Sequence, residues 1–307
     1  MNLLTAQVSS LKFRQAYEMF IREQRIRRNS TSTIEYYRIS LDKFSEFTGD
    51  IDTEDLTIEL YKAYTLHLLD DTQLKSTSVH TYLRAVKAFY NFLINEELIS
   101  DCSRKLRLVK QDKKVIVPLS DIEIGKLLDC FNCSDVLGLR NKCIVVLMLD
   151  SGLRLGEVVR LRLDDVFLDG SFIIVNGKGS KQRVVPLGQK CSELLSAYIG
   201  NFRLGAPPSA RVFVSKYSEN PLTPNAVHCF FEDLKRETGI LRLYPHLLRH
   251  TFATLYIIDG GDLETLRCIL GHSTISITQI YLHLASNYKL AYRNHRSHLD
   301  NIKEGIL

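Results

Sequence analysis

Tyr244-Pro245-His246-Leu247-Leu248-Arg249-His250-Thr251 concentrates more proton-handling chemistry than any other run of this chain. Pro245 is the kind of residue that opens a helix, because its missing N–H is not needed in the first turn. His246 and Arg249, three apart, then share one face of that turn. The free amides of a helix start favour an anion, so a phosphate held there would meet an imidazole and a guanidinium together. His250 reads as turned away from that pair, a structural histidine that hydrogen-bonds locally.

Four more groups of the same character lie to either side. Downstream, Leu270-Gly271-His272-Ser273-Thr274 places His272 between a glycine that ends one helix and a Ser/Thr pair that starts the next. Tyr281 stands on that next helix. Upstream, Ser151-Gly152-Leu153-Arg154-Leu155-Gly156-Glu157 puts Arg154 at a helix start, with Glu157 three residues on as an ordinary ion-pair partner. Between these, Ser171–Asn176 and Gln182–Leu187 are β-rich and flank Gly177-Lys178-Gly179-Ser180, a hairpin carrying Lys178 in its turn. The glycine spacing there is not that of a nucleotide-binding loop. Taken singly, each residue has a commonplace use: an ion pair, a solvated turn lysine, a packed tyrosine.

Helical spacing of apolar residues organises the rest. Residues 11–27 carry Phe13, Tyr17, Phe20 and Ile21, and residues 31–47 carry Ile34, Tyr37, Leu41 and Phe44. A third helix is expected from about Leu56 to Leu69, and a fourth from Ser78 to Asn95 with Val79, Tyr82, Val86, Phe89 and Phe92 on one face. That describes an all-helical domain over 1–103. Residues 104–117 form a basic linker, with six basic residues and one acid between Arg104 and Lys114. The second domain, 118–307, opens on a helix capped by Ser120 or Asp121 and continues with a buried helix over 141–149 and the hairpin. Further helices are expected near 192–199, 223–238, 247–258, 262–270 and 274–283. The fold class is mainly α with a small antiparallel β-sheet.

Composition narrows the function classes. With 45% hydrophobic and 24% charged residues the chain is that of a globular protein. The longest apolar run, Cys143 to Leu149, stops at Asp150, far short of a membrane span. No secretory signal is visible and the seven cysteines are oddly numbered and irregularly spaced, which suits free thiols in a cytoplasmic protein. Cys130 and Cys133 form a Cys-x-x-Cys pair without the second pair a zinc site needs, so they read as packing residues. A net charge of +5 is compatible with nucleic-acid binding without requiring it.

The ordered set Arg154, Lys178, His246-x-x-Arg249, Gly271-His272, Tyr281 resembles the tyrosine recombinase (phage integrase) family. The flanking letters agree: Gly-Leu-Arg-Leu-Gly-Glu, Gly-Lys-Gly-Ser-Lys-Gln-Arg-Val-Val-Pro-Leu, His-Leu-Leu-Arg-His-Thr-Phe-Ala-Thr and Leu-Gly-His-Ser-Thr-Ile-Ser-Ile-Thr-Gln-Ile-Tyr. The N-terminal helices are similar to the family's SAM-like core-binding domain, so the resemblance spans nearly the whole chain and suggests the minimal two-domain, Xer-like type. It implies an α+β catalytic domain that cuts a DNA strand by attack of Tyr281 on the scissile phosphate, leaving a 3′-phosphotyrosyl bond. In that reaction Arg154 and Arg249 would clamp the phosphate oxygens, and His272 would add a donor. His246 is the candidate base and Lys178 the candidate acid for the 5′ oxygen. Glu157 and Asp165 would orient rather than react, and Lys181 and Arg183, beside Lys178 on the hairpin, would either touch phosphates or simply be solvated. The covalent link keeps the phosphodiester energy, so neither cofactor nor metal is implied.

Double-stranded DNA recombination sites are the expected partner. Two other readings remain: a type IB topoisomerase, or a DNA-binding regulator that keeps the fold without the chemistry. A last helix expected over Tyr288–Ile302, apolar at Leu290, Tyr292 and Leu299, would either fold back onto its own domain or, as the family resemblance implies, dock into a neighbouring protomer and close a cyclic tetramer on DNA.

Overall fold

The computed structural model describes residues 10–111, 116–177, 182–215 and 220–292, with backbone only over 290–292. It divides into two units, Met1–Lys114 and Val115–Leu307. In the first, α1 (Phe13–Ile26), α2 (Thr31–Thr48), α3 (Ile58–Leu66) and α4 (Ser76–Asn95) surround an aromatic core. Phe13, Phe20, Phe44, Tyr64, Phe89 and Tyr90 are all essentially inaccessible. Phe89 meets Phe13 edge-on at 5.4 Å and Phe20 at 5.6 Å, while Phe44 meets Tyr64 at 4.8 Å. Each ring removes enough apolar surface from water to contribute on the order of 2–3 kcal/mol. Ser30 caps α2 by accepting from the Thr33 amide, and Gly49 closes that helix at φ +70°.

The basic segment after α4 begins as part of this unit. Leu106 is buried in its core, the Tyr61 hydroxyl donates to the Arg107 carbonyl at 2.9 Å, and Lys87 Nζ donates to the Leu106 carbonyl at 2.7 Å. The helical unit therefore extends past residue 103, and residues 112–115 lie outside the described residues.

The second unit runs α5 (Asp121–Asp129), α6 (Val136–Ser151), α7 (Leu155–Val158), β1 (Val166–Phe167), β2 (Phe172–Asn176), β3 (Gln182–Pro186), α8 (Gln189–Phe202), α9 (Pro224–Thr238), α10 (Pro245–Ile258), α11 (Leu263–Leu270), α12 (Ile275–Thr278) and α13 (Ile280–Tyr292). Helix α6 starts five residues before the expected Asn141, because the Asp135 carboxylate accepts from the Leu137 and Gly138 amides at 2.7 and 2.9 Å. The sheet has order β1-β2-β3, all antiparallel. Ile173, Val175 and Val185 face the core, and Val184 faces solvent. Helix α10 packs against both α6 and α13.

Two expected helices are differently cut. The helix placed at residues 274–283 is split at Gln279 into the single turn α12 and the longer α13. The separate tail helix expected from Tyr288 does not begin there: Tyr288 lies inside α13 and packs with Ile258 and Ala285. No helix breaker separates His283 from Tyr288, so one helix continues. Residues 293–307 lie outside the described residues.

Candidate functional site

Three chain turns bring the candidate residues together. At the first, α6 ends on Gly152 at φ +63°, a left-handed position that a side chain resists. A Cβ there would stand 2.4 Å from the Phe252 ring, so glycine lets the backbone pass. The Gly152 carbonyl accepts from Arg249 Nη1 at 2.6 Å. Two residues on, Arg154 is the N-cap of α7; its amide donates to Glu157 Oε2 at 2.9 Å and its Nη1 to Glu157 Oε1 at 3.0 Å. Arg154 thus reaches outward, 36% exposed, from a fixed root.

The second turn is the start of α10, with Pro245 in its first turn and Arg249 buried behind it at 3% exposure. Arg249 Nη2 donates to the Leu270 carbonyl at 2.8 Å and to His272 Nε2 at 3.0 Å. A guanidinium cannot accept, so Nε2 of His272 is the acceptor, and its proton sits on Nδ1, which donates to Thr278 Oγ1 at 3.0 Å. The third turn is Gly271, at φ +64°, which ends α11 and delivers His272.

Tyr281 on α13 closes the group. Its ring lies parallel to that of His272, 8° apart in plane with centroids at 6.3 Å, and it is 3% exposed. Its hydroxyl meets His250 Nδ1 at 3.2 Å. Among the described residues no hydrogen bond joins His246 to Tyr281. His246 stays exposed on the first turn of α10. Lys178 and Lys181 lie outside the described residues.

Electrostatics follow from this crowding of cations around one carboxylate. Burial alone would raise the Glu157 carboxyl, but Arg183 and Arg154 outweigh it and hold the group below its usual value. Burial and the charge of Arg154 bring Arg249 down to about 10, still cationic at neutral pH. Desolvation, then Arg249 and Arg154, push His272 down to about 4 and lower His246 as well. Burial raises the Tyr281 phenol, while Arg249 and Arg154 pull it back. The result is a set of guanidiniums with neutral imidazoles between them, in which Arg154, Arg183 and Arg249 outnumber the single carboxylate Glu157, a balance that favours a further anion. It can bind one phosphate and place a phenol oxygen beside it.

Two residues differ from their sequence readings. Arg183 is not a solvated phosphate contact: its side chain is 12% exposed and donates to both Glu157 oxygens and, through Nε, to the Ile269 carbonyl at 2.7 Å. The signal was available in the strand alternation, since Arg183 lies two residues from buried Val185. His250 does not turn away from the site. It lies four residues after His246, and residues four apart are neighbours on a helix. Cys130 and Cys133 are free thiols, and among the described residues no cluster of three or more His, Cys, Asp or Glu could hold a metal ion.

Comparison with known proteins fits this picture. Residues 118–287 match the phage integrase family and residues 17–100 match its N-terminal SAM-like domain. The chain is 34% identical to the tyrosine recombinase XerC of Bacillus pumilus, over 90% of this chain and 94% of that protein. It is 32% identical to the tyrosine recombinase XerD of Oceanobacillus iheyensis, over 88% and 93%. The fold is that of the Tn1549 transposon integrase in complex with a circular intermediate DNA, with TM-score 0.72 and 20% identity over 87% of this chain and 94% of that one.

Proposed function

This chain belongs to the phage integrase family and is a site-specific tyrosine recombinase of Xer-like type, and from that premise we propose which residues carry the reaction. Tyr281 is the nucleophile. Its attack on the scissile phosphate gives a 3′-phosphotyrosyl link and a free 5′-hydroxyl. Arg154 and Arg249 clamp the non-bridging oxygens, where charge gathers in the transition state. His272 joins them once the phosphate takes over Arg249: freed of that donor, the ring can turn or gain a proton and donate to the same oxygens. His246, exposed beside Arg249, contacts the phosphate from the helix start. Lys178, which lies in sequence between β2 and β3, gives a proton to the departing 5′ oxygen.

The supporting observation is that Tyr281 lies stacked on His272, which is itself bonded to Arg249, while Arg249 and Arg154 offset part of the rise that burial imposes on the phenol pKa. The cut is rejoined when the 5′-hydroxyl of another strand attacks the phosphotyrosine, so the bond energy is conserved. Four protomers on two sites would be needed to exchange both strands, with the segment after Tyr292 docked on a neighbour. A pure DNA-binding regulator would have no use for a phenol seated among cations.

Covalent trapping tests this reading. A pool of duplexes of random sequence, each nicked so that the 5′ product diffuses away, is incubated with the full chain in excess EDTA. The expected result is a protein–DNA adduct enriched for one family of sequences. Adducts that form only with added metal, or no adduct on any sequence, would contradict it.

A further inference from the structure

Two titratable groups touch the reacting oxygen: Arg249, a guanidinium that can only donate to it, and His250, the one of the two that can accept its proton. The Tyr281 hydroxyl stands 3.2 Å from His250 Nδ1, with the two ring centroids 5.7 Å apart and tilted by 45°. Helix α10 fixes the histidine from behind: Leu247, Leu248 and Arg249 are buried before it and Thr251 after it, while Thr254 Oγ1 donates to the His250 carbonyl. The phenol is fixed from the other side by the packing of Ala253, Leu266 and Leu270 around Tyr281.

We propose that His250, and not His246, is the base that takes the Tyr281 proton, and that a bound phosphate switches it on. The inference rests on Tyr281 being the nucleophile. In the step, the phenol O–H bond breaks and its proton forms an N–H bond at His250 Nδ1. The phenolate oxygen bonds to phosphorus as the bond from phosphorus to the 5′ oxygen breaks, and that oxygen leaves with a proton from Lys178. Rejoining runs the same transfers backwards, with the imidazolium returning its proton to the departing phenolate.

The gate comes from the groups that face His250. On its own helix these are His246 and Arg249; from the loop after α11 it is His272; from α13 it is Tyr281 itself. Burial, followed by His246 and Arg249, holds the His250 pKa near 4 in the free protein. So weak a base leaves a phenol of raised pKa fully protonated, and the hydrogen bond acts as a latch. A phosphate clamped by Arg249 places a negative charge against the same cations, cancels part of their effect and makes His250 a stronger base. The nucleophile is thereby armed only where a phosphodiester is in place.

The test uses the duplex recovered by covalent trapping and the full-length chain. H250N keeps an acceptor close to the position of Nδ1 but cannot hold a proton. It should bind the duplex like the wild type while adduct formation at pH 7 falls by about 100-fold or more. Its rate should then climb about tenfold per pH unit as hydroxide replaces the missing base. Replacing the departing 5′ oxygen by sulfur, which needs no proton to leave, should restore K178A and leave H250N slow. H246N should slow the reaction without acquiring the steep pH dependence. H250N reacting at near wild-type rate, rescue of H250N by sulfur, or the steep profile appearing in H246N would each overturn the proposal. If H250N does not bind DNA, Y281F carrying nitrogen-labelled histidine replaces it. The His250 resonance should titrate at a pH at least about one unit higher with the duplex bound than without, and an unchanged or lower titration point would overturn the idea. An adduct formed by Y281F would instead refute the assignment of the nucleophile, which separates the two failures.

Discussion

Arg183 and Glu157 meet through two parallel hydrogen bonds, Nη1 to Oε1 at 2.9 Å and Nη2 to Oε2 at 2.8 Å, on a carboxylate that also holds the backbone and side chain of Arg154. One carboxylate therefore ties β3 to the helix start that presents Arg154. The third Arg183 bond, to the Ile269 carbonyl, extends the tie to the turn that delivers His272.

Removing Arg183 should loosen that frame while leaving the groups proposed to react in place. R183A leaves Glu157 buried without its fork partner, a defect that typically costs about 3–5 kcal/mol. R183K keeps the charge but cannot make the two-pronged contact. We expect R183K to fold, with a lower denaturation midpoint and adduct formation reduced about tenfold or more. Urea unfolding and a single-turnover cleavage assay check the two effects separately. Wild-type cleavage by R183K would mean the fork is only a stability feature.

Gly152 should tolerate no side chain. G152A would demand a left-handed conformation and drive a methyl group into the Phe252 ring, shifting the carbonyl that Arg249 Nη1 donates to. A loss of about 2–4 kcal/mol is expected, with cleavage falling further than stability accounts for. Calorimetry beside single-turnover rates reads both.

The two clamp arginines should separate binding from chemistry. R154A and R249A are each expected to slow cleavage by about 100-fold or more with little change in affinity, because their charge matters most in the transition state. R249A should also lower stability, since Arg249 is buried and bonds to Gly152, Leu270 and His272, whereas partly exposed Arg154 should cost less, because Arg183 still holds Glu157. Equal losses of affinity and rate would make them DNA-holding groups.

Acid should destabilise the fold through His272. Its folded pKa of about 4 lies below the usual value of 6.5, so between those values the unfolded chain binds a proton that the folded one excludes. Stability is thus fully present above pH 6.5 and falls as pH drops toward 4, by at most ~3 kcal/mol at 1.36 kcal/mol per unit. H272N should make that stretch of the pH–stability curve less steep, the remaining slope coming from His250, which burial also holds down at about 4. A curve as steep in H272N as in the wild type would remove His272 from the explanation.

Much of this was legible in the sequence because helix caps and hairpins are local. The Gly271 stop, the Pro245 start and the antiparallel pairing of β2 with β3 could be placed from neighbouring residues alone. What was not legible needed long-range pairing: Arg183 finds Glu157 across 26 positions and His250 finds Tyr281 across 31. Strand β1 is two residues long and exists only through its partner β2. The start of the tail helix differs for the opposite reason: the apolar stretch from Tyr288 continues α13 into the core instead of opening a new helix, and its residues 293–302 lie outside the described residues. A truncation that probes assembly must accordingly begin after Tyr292. Such a chain should fold and bind one half-site yet lose cooperative pairing of two. Unimpaired recombination by it would show the segment has no assembly role.

The account stands or falls on which oxygen becomes joined to DNA. The adduct trapped on a nicked duplex can be digested to peptides and the residue carrying the nucleotide identified by mass spectrometry, with Y281F run beside it. The account predicts that the nucleotide sits on Tyr281, and that Y281F binds the same duplex without forming any adduct. A nucleotide found on another tyrosine, such as Tyr256 or Tyr288, or an adduct persisting in Y281F, would contradict it.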